Sequence, residues 1–497
     1  MRRELGDAYV DRLRALYADR IPGQSDLCCY WFEKARAHIA AGKCKRAGLL
    51  ATQGIRGGAN REVLKRIKDT GGIFWAESDR PWILNGANVH VSMIGFDSGE
   101  EKTRTLDGKA VATINSNLTS TVDFASAESL LQNAMFSFIG TTKGGSFDIS
   151  DREAQALLSQ CPNPHGRPNS NVLKPILNGL DILRRGSPRW VIDNEDRTQP
   201  EASMYESPHR LVIERVKPSR DNNRNKWLKE NWWKLQRVRT EMRTAISALP
   251  RFLATPRVAK HRLFLWFSWP TVTDDQTVIF ARADDYFFGV LQSRFHETWA
   301  LKLGTRLETR PRYTPTTCFE TFPFPDESLC AFAPLRENIS AAAKELNALR
   351  ENWLNPPEWT RTETLEFPGT VGGPWDRYIV SGSAHPLLIP DSRLPIPVLI
   401  GTVRYPRLVP RDADCAARLK ARALTKLYNA RPAWLADCHA RLDAAVAAAY
   451  GWPADLTDDA ILERLLALNL EYPRSRAMTN DARQDSGPWK MKMNNGG

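Results

Sequence analysis

The chain has 497 residues, of which 42% are apolar and 25% charged, which predicts two to four globular domains. It carries no uninterrupted apolar run of about 18 residues, and its N-terminus, MRRELGDAYVDRL, mixes acids with bases, so neither a membrane span nor a signal peptide is expected. The net charge is +12, and much of it is local. Glu206 to Arg262 holds fifteen Lys or Arg against five Asp or Glu, interleaved with Trp227, Trp232 and Trp233. Such a mixture suits a phosphate backbone, with a solvated charged helix face as the alternative.

Residues Arg3 to Tyr17 carry Leu5, Val10, Leu13 and Leu16 along one side of an expected helix. A second helix follows, with Ser25 or Asp26 as N-cap and Gly42 as stop, and Leu27, Tyr30, Trp31, Lys34 and Ala35 placed to lie on a sheet. Next comes an apolar run, Ala47 to Thr52, then a Gly-rich turn. Val63, Leu64 and Ile67 stand at helical spacing, and a second run spans Ile73 to Ala76. This is a βαβ pattern, which predicts parallel strands. The stretch Ser78 to Ala87 reads as a loop before a third strand, Val89 to Phe96, which should pair antiparallel. Asp97 to Lys109 reads as a linker or hairpin tip.

From Val111 to about Pro325 short apolar runs are broken by Gly, Pro and Asn. Strands are expected at Phe136–Ile139, Trp190–Ile192, Leu263–Phe267 and Thr277–Ala281, with a long basic helical region over Ser207 to Leu249. Leu335 to Leu354 reads as helix, 355–411 as an irregular proline-rich arm, and Ala416 to Leu470 as helix again. The fold class expected is α/β over 1–100, joined to a mixed α+β domain at 110–330. A helical C-terminal domain at 331–475 and a frayed tail at 476–497 complete the chain. The eight cysteines are scattered without zinc-ligand spacing and read as reduced thiols of a cytoplasmic protein.

Hydrolytic chemistry finds no support. Pro325-Asp326 and Pro390-Asp391 are not followed by a suitable (D/E)xK, and no GxSxG elbow occurs. The turn Gly54 to Asn60 sits between strand and helix. It reads as a structural turn, a surface facing nucleic acid through Arg56 and Asn60, or a weak phosphate cradle lacking the full GxGxxG pattern.

Ten segments together resemble one family. They are DLCCYWFEKAR, IRGGANREVLKRI, SDRPWILNGANVHVSMIGFD, FSFIGTTKGGSFDI, GRPNSNVLKPILNGLDILRR, RFLATPRVAKHRLFLW, PRYTPTTCFETFPFP, LEFPGTVGGPW, GTVRYPRLVP and AAYGWPADLTDDAILERLLALNL. The chain is similar to the C-terminal two-thirds of MmeI-like adenine-specific DNA methyltransferases. The resemblance implies that residues 1–100 close a Rossmann-like methyltransferase sheet ending in an antiparallel hairpin. It also implies a target-recognition domain at about 110–330. Such enzymes transfer methyl from S-adenosylmethionine to N6 of an adenine in double-stranded DNA. They carry an Asn-Pro-Pro-aromatic motif and a Gly-rich cofactor loop, and this chain shows neither ahead of its sheet. Its Asn355-Pro356-Pro357 is followed by Glu358 and reads as a helix stop. In the family, the segment resembling Arg2 to Arg12 comes shortly after the catalytic motif. An upstream fragment supplying motif and cofactor is therefore the expected partner.

A base must leave the duplex to be methylated, and a flipped base needs an aromatic face. The resemblance assigns this to Trp82, with Phe74 and Trp75 behind it; a Trp covering the sheet edge is the alternative. Asn can read adenine and Arg guanine, while cations also meet phosphates. The DNA-facing candidates are accordingly Arg56, Asn60, Arg80, Arg167, Asn169, Asn171, Lys174, Arg184, Arg185, Arg257, Lys260, Arg262, Arg312, Tyr313 and Thr316. Asn178 and Asp181 belong to the same polar segment, which a capped loop would also explain. Lys260 and Arg262 are expected on one face of a strand edge, while Phe319, Phe322 and Phe324 should pack a domain seam.

Overall fold

A long antiparallel hairpin dominates the first part of the chain. Its arms are β2 (Gly72–Leu84) and β3 (Ala87–Asp97), which lie in one sheet with β1 (Arg46–Thr52), β4 (Arg104–Leu106) and β5 (Lys109–Val111) in the order β1-β3-β2-β4-β5. Both β1 and β2 run antiparallel to β3 and are thus parallel to each other, but β3 lies between them. The strands of the βαβ pattern therefore share a direction without being neighbours. The stretch read as a loop, Ser78 to Ala87, is corrected: β2 continues through it to Leu84. The missed signal is Asn85-Gly86, a dipeptide that favours tight strand reversal. Register shifts at Ile73/Trp75 and Glu77/Arg80 absorb the irregularity of a strand containing Pro81. The polar segment after β3 is a small hairpin, β4 with β5, added parallel to β2.

This computed structural model describes residues 2–84, 87–120, 124–160, 163–184, 189–307, 310–326, 332–380, 385–387 and 398–472. Arg185, Cys161, Cys330, Pro390-Asp391, most of 381–397 and the tail lie outside them. The described chain forms two units, each gathered from separate stretches. One takes residues 1–132, 299–323 and 458–497, the other 133–298 and 324–457.

In the first unit, helices α1 (Asp7–Leu16), α2 (Leu27–Ala40) and α3 (Gly58–Thr70) accompany the sheet. The buried side of α2 is Cys29, Tyr30, Phe32, Glu33 and Ile39, whereas Trp31 is 59% exposed and Leu27 38%. The expected inner face was thus set about one residue off. Glu33 decides this: its buried carboxylate accepts two bonds from Arg36 (2.7 and 2.8 Å), and Arg66 of α3 approaches to 3.6 Å. A charged residue takes a core position because its partners follow it in. Val63, Leu64 and Ile67 are buried as their spacing requires.

The second unit holds two four-stranded sheets. One contains β6 (Ser137–Ile139), β10 (Phe252–Pro256), β11 (Leu265–Phe267) and β13 (Thr277–Phe280), in the order β11-β10-β13-β6. The other contains β7 (Asp148–Ser150), β8 (Leu173–Leu177), β9 (Arg189–Ile192) and β12 (Val272–Thr273), in the order β12-β8-β9-β7. Helix α4 (Asp151–Leu158) starts on a capping box of Ser150 and Glu153. The basic region is not one helix. It breaks into α5 (Glu206–Arg215), α6 (Lys217–Asp221), α7 (Lys226–Glu230) and α8 (Thr240–Ser247). Pro218 at a helix start and the polar run Asp221 to Asn225 interrupt the pattern. Trp232 and Trp233 are buried; Trp227 is 44% exposed.

Helices α9 (Asp285–Gln292), α10 (Phe332–Leu354) and α11 (Ala433–Tyr450) pack together in this unit. The arm read as irregular is corrected. Two strands, β14 (Thr360–Thr370) and β16 (Val398–Pro410), pair over eleven positions, and β15 (His385–Leu387) joins β16. Pro368 and Pro406 are tolerated because a narrow ribbon leaves one edge of each strand unladdered over most of its length. The ribbon docks through Trp375, which is 1% exposed and donates from Nε1 to the carbonyls of Ser170 (3.0 Å) and Leu173 (3.2 Å). No helix among the described residues is long and apolar enough to cross a membrane.

Candidate nucleic-acid interface

In the first unit the Gly-rich turn forms a short 3-10 segment, Gln53–Arg56, before α3. Gly58 has φ +55°, a backbone state that glycine adopts without penalty. Asn60 pins the turn to the start of α2: its Nδ2 donates to Asp26 Oδ2 and its Oδ1 accepts from Asp26 N, both at 2.7 Å. Arg56 Nη2 meets Asp79 Oδ2 at 3.0 Å, and the other oxygen of Asp79 lies 2.6 Å from His90 Nδ1. The turn is therefore cross-tied to the hairpin, and Asp79 is its shared acid.

Beyond Asp79 the hairpin carries Arg80, which is exposed, and Trp82, which is 39% exposed and pairs with Val89. Trp82 thus stands on a strand rather than a loop. Phe74 and Trp75 are not behind it. They lie toward the other end of β2, roughly 25 Å along the strand, where Arg46 sits 5.3 Å over the ring of Phe74. In the same unit, Arg312 is half-buried, Thr316 exposed and Tyr313 1% exposed. Tyr313 packs into the fold, which corrects its placement among surface contacts; Phe319 and Phe322 are fully buried.

The second unit divides the remaining candidates sharply. Lys174 is wholly buried: its Nζ donates to Asp193 Oδ2 (2.9 Å) and Glu195 Oε1 (2.5 Å). Arg243 Nη1 reaches the same Asp193 oxygen at 2.5 Å. Burial pushes the Asp193 carboxyl up, but Arg243 and Lys174 outweigh it and hold the group below the usual carboxylate range. Asn169 is buried and donates to Leu157 O (3.0 Å) and Gln160 Oε1 (3.1 Å). Asn171 is buried against the Tyr205 hydroxyl at 3.4 Å. Asn178 caps a short helix, accepting from the amides of Leu180 and Asp181 at 2.9 Å each.

Arg262 is 5% exposed and donates to Thr255 Oγ1 at 3.0 Å and to Pro256 O. Lys260, two residues earlier, is exposed and donates to Asn429 Oδ1 at 2.7 Å. These two were expected on one strand face. In fact 257–264 lies between β10 and β11, and their environments are opposite. For Lys174, Asn169 and Arg262 the correction has one cause: each polar group finds its partners inside the fold; Asn171 is buried with them, its Nδ2 on the Tyr205 hydroxyl and its Oδ1 without a partner. Arg184 is exposed, and Arg167 and Arg257 are half-buried, with Arg257 Nη1 donating to Asp275 O at 2.9 Å. Two arginines that the sequence reading did not single out, the exposed Arg237 and the half-buried Arg239, add to this charge, and Arg239 feels both Arg237 and Arg257. Among the described residues no group of three His, Cys, Asp or Glu is arranged to hold a metal ion.

The family model described as the MmeI target recognition domain matches residues 124–326. The solved structure of the type IIL restriction-modification enzyme MmeI in complex with DNA superposes on the chain with a TM-score of 0.65 and 17% identity. The match covers 93% of this chain and 55% of that one. The type IIG restriction endonuclease BpuSI aligns at a TM-score of 0.23 and 8% identity, covering 68% of this chain and 47% of that one, too little to indicate a shared fold. DNA methyltransferase A of Bacillus subtilis (strain 168) is 33% identical over 81 residues, 16% of this chain and 9% of that protein. The chain thus spans about half of MmeI and a small part of the Bacillus protein. Residues 124–326 match the MmeI target recognition domain family model, and the chain has an MmeI-like fold over nearly its whole length.

Proposed function

We propose that this chain is the DNA-reading part of a site-specific DNA methyltransferase of a restriction-modification system, acting on N6 of adenine in double-stranded DNA. The observation that carries the reading is the match of residues 124–326 to the MmeI target recognition domain model. In this reading residues 1–100 close a methyltransferase sheet, 110–330 read DNA and 331–475 form a helical C-terminal domain. Two parallel strands with an antiparallel one between them, β1-β3-β2, support the first assignment. The exposed ring of Trp82 offers the face on which a flipped adenine stacks. Arg80, Arg184, Lys260 and Thr316, with the half-buried Arg56, Arg167, Arg257 and Arg312, supply contacts to DNA. Asn60, tied to Asp26, shapes the turn.

S-adenosylmethionine supplies the methyl group when bound to such an enzyme. The residues at the Gly-rich turn do not fit it: the acid there, Asp79, is engaged by Arg56 and His90, and Asn60 is spent on Asp26. In this reading an upstream polypeptide carries the cofactor site and the adenine-polarising motif. Methyl incorporation into DNA should require both pieces, and incorporation by this chain alone would overturn the assignment. Trp82→Ala should slow turnover of the combined enzyme at least tenfold without unfolding it; unchanged turnover would remove Trp82 from the site.

A second reading, DNA binding without catalysis, is favoured by the one Asn-Pro-Pro present. Asn355 directly follows α10, and Pro356 O accepts from Thr360 Oγ1 at 2.9 Å, so the tripeptide ends a helix. Salt-dependent DNA binding with no incorporation in any combination would establish that reading instead.

A further inference from the structure

Arg239 bears three costs at once. Its backbone has φ +63° and ψ +54°, the left-handed region that residues with a Cβ avoid. Its side chain is half-buried, Nε is shielded from water, and the guanidinium makes no hydrogen bond or ion pair with any described residue. Of the charges that act on it, Arg237 and Arg257 repel while Asp275 and Glu241 attract; burial, then Arg237, lower its pKa.

The surrounding fold enforces this conformation. On one side Arg237 exchanges backbone hydrogen bonds with Thr142 at 3.0 and 3.1 Å, and Gln236 N donates to Lys143 O. On the other, Thr240 Oγ1 donates to Asp196 Oδ2 at 2.9 Å and Arg243 is locked to the buried Asp193. The backbone at 239 is thus fixed by anchors on both flanks, and it carries an unpaired, half-buried cation. Strain of this kind, held by neighbours, marks functional positions.

We infer that Arg239 is a specificity-determining residue whose guanidinium fork donates to the O6 and N7 acceptors of one guanine in the major groove. This rests on the reading of residues 124–326 as a DNA-reading domain. A phosphate is met equally well by a mobile, exposed cation. A partly desolvated fork carried on a fixed backbone suits a planar pair of acceptors, and fixing the backbone in advance spares that part of the ordering cost on binding.

The test is selection from a randomised duplex pool by the full chain, followed by affinity measurements on the enriched sequence. The wild-type chain should enrich a motif containing guanine. Arg239→Lys keeps the charge but loses the fork, so preference at one guanine should disappear and affinity for the motif should fall about 10- to 100-fold. Binding to unrelated duplex and its salt slope should not change. Arg239→Gly should show the same loss with equal or higher thermal stability, because glycine relieves the strain; this separates lost reading from lost folding. Uniform weakening with a salt slope reduced by about one would make Arg239 a phosphate contact and overturn the inference. An unchanged motif in both variants would overturn it while leaving the DNA-reading proposal intact. A wild-type chain that enriches nothing would bring down both.

Discussion

Lys174→Met removes an ammonium from a fully buried site while keeping most of the side-chain length. Asp193 would keep Arg243 and the Glu195 amide, and Glu195, whose side chain is 29% exposed, would keep Arg197. Removing one partner of a buried ion pair costs about 3–5 kcal/mol. The remaining Arg243 contact places the expectation at the lower end, about 3 kcal/mol. At about 2 °C per kcal/mol for a unit this large, Tm should fall by about 6 °C. The folded pKa of Asp193 lies below its unfolded value of about 3.9. Its stabilisation is therefore fully present above that value and lost as pH falls through the folded one. Lys174 helps to depress that pKa, so the deficit of the variant should shrink below about pH 4. Circular dichroism melts across pH would measure this, beside a salt series of DNA binding at a temperature where both proteins are folded. An unchanged Tm with a DNA salt slope reduced by about one would refute the reasoning and return Lys174 to the DNA surface.

Gly71→Ala would place a Cβ 2.2 Å from Asp97 O and 3.2 Å from Ser98 Cα. Neither is a flexible side-chain end, so a loss of about 1–3 kcal/mol is expected in chemical denaturation; Gly48→Ala, with nothing within 4 Å, is the control and should be near neutral. Asp443 accepts from Arg294 N at 2.8 Å, and burial raises its pKa to about 6. An acid with a raised folded pKa contributes stability that is present below about pH 4 and lost as pH rises through 6. Asp443→Asn should flatten that decline, and urea melts between pH 4 and 7 showing the same slope in both proteins would count against it.

The exposed or buried fate of a charge was the least legible property of this chain. Lys174 and Lys260 look alike in sequence, yet one is buried against Asp193 and Glu195 and the other is exposed. The partners of Lys174 lie 19 and 21 residues away, and Arg243 comes to Asp193 from 50. No local pattern announces such meetings. The ribbon of β14 and β16 was hidden for a similar reason: its prolines suggested irregularity, but an unladdered strand edge accepts them. Arg239 was passed over because backbone strain leaves no mark in residue type.

Read alone, the amino-acid order determined what depends on near neighbours. Period-3.6 spacing gave α3 its buried face, Asn-Pro-Pro ended α10, and short apolar runs marked β6, β9, β11 and β13. The quoted segments pointed to the family that the recognition-domain match then supported. Tertiary structure decided that β3 enters between β1 and β2, that Trp82 stands on a strand, and which cations face outward. The physical reason is the same throughout. Propensity and periodicity act over a few residues, whereas strand order and the solvation of a charge are settled by groups brought together from far along the chain.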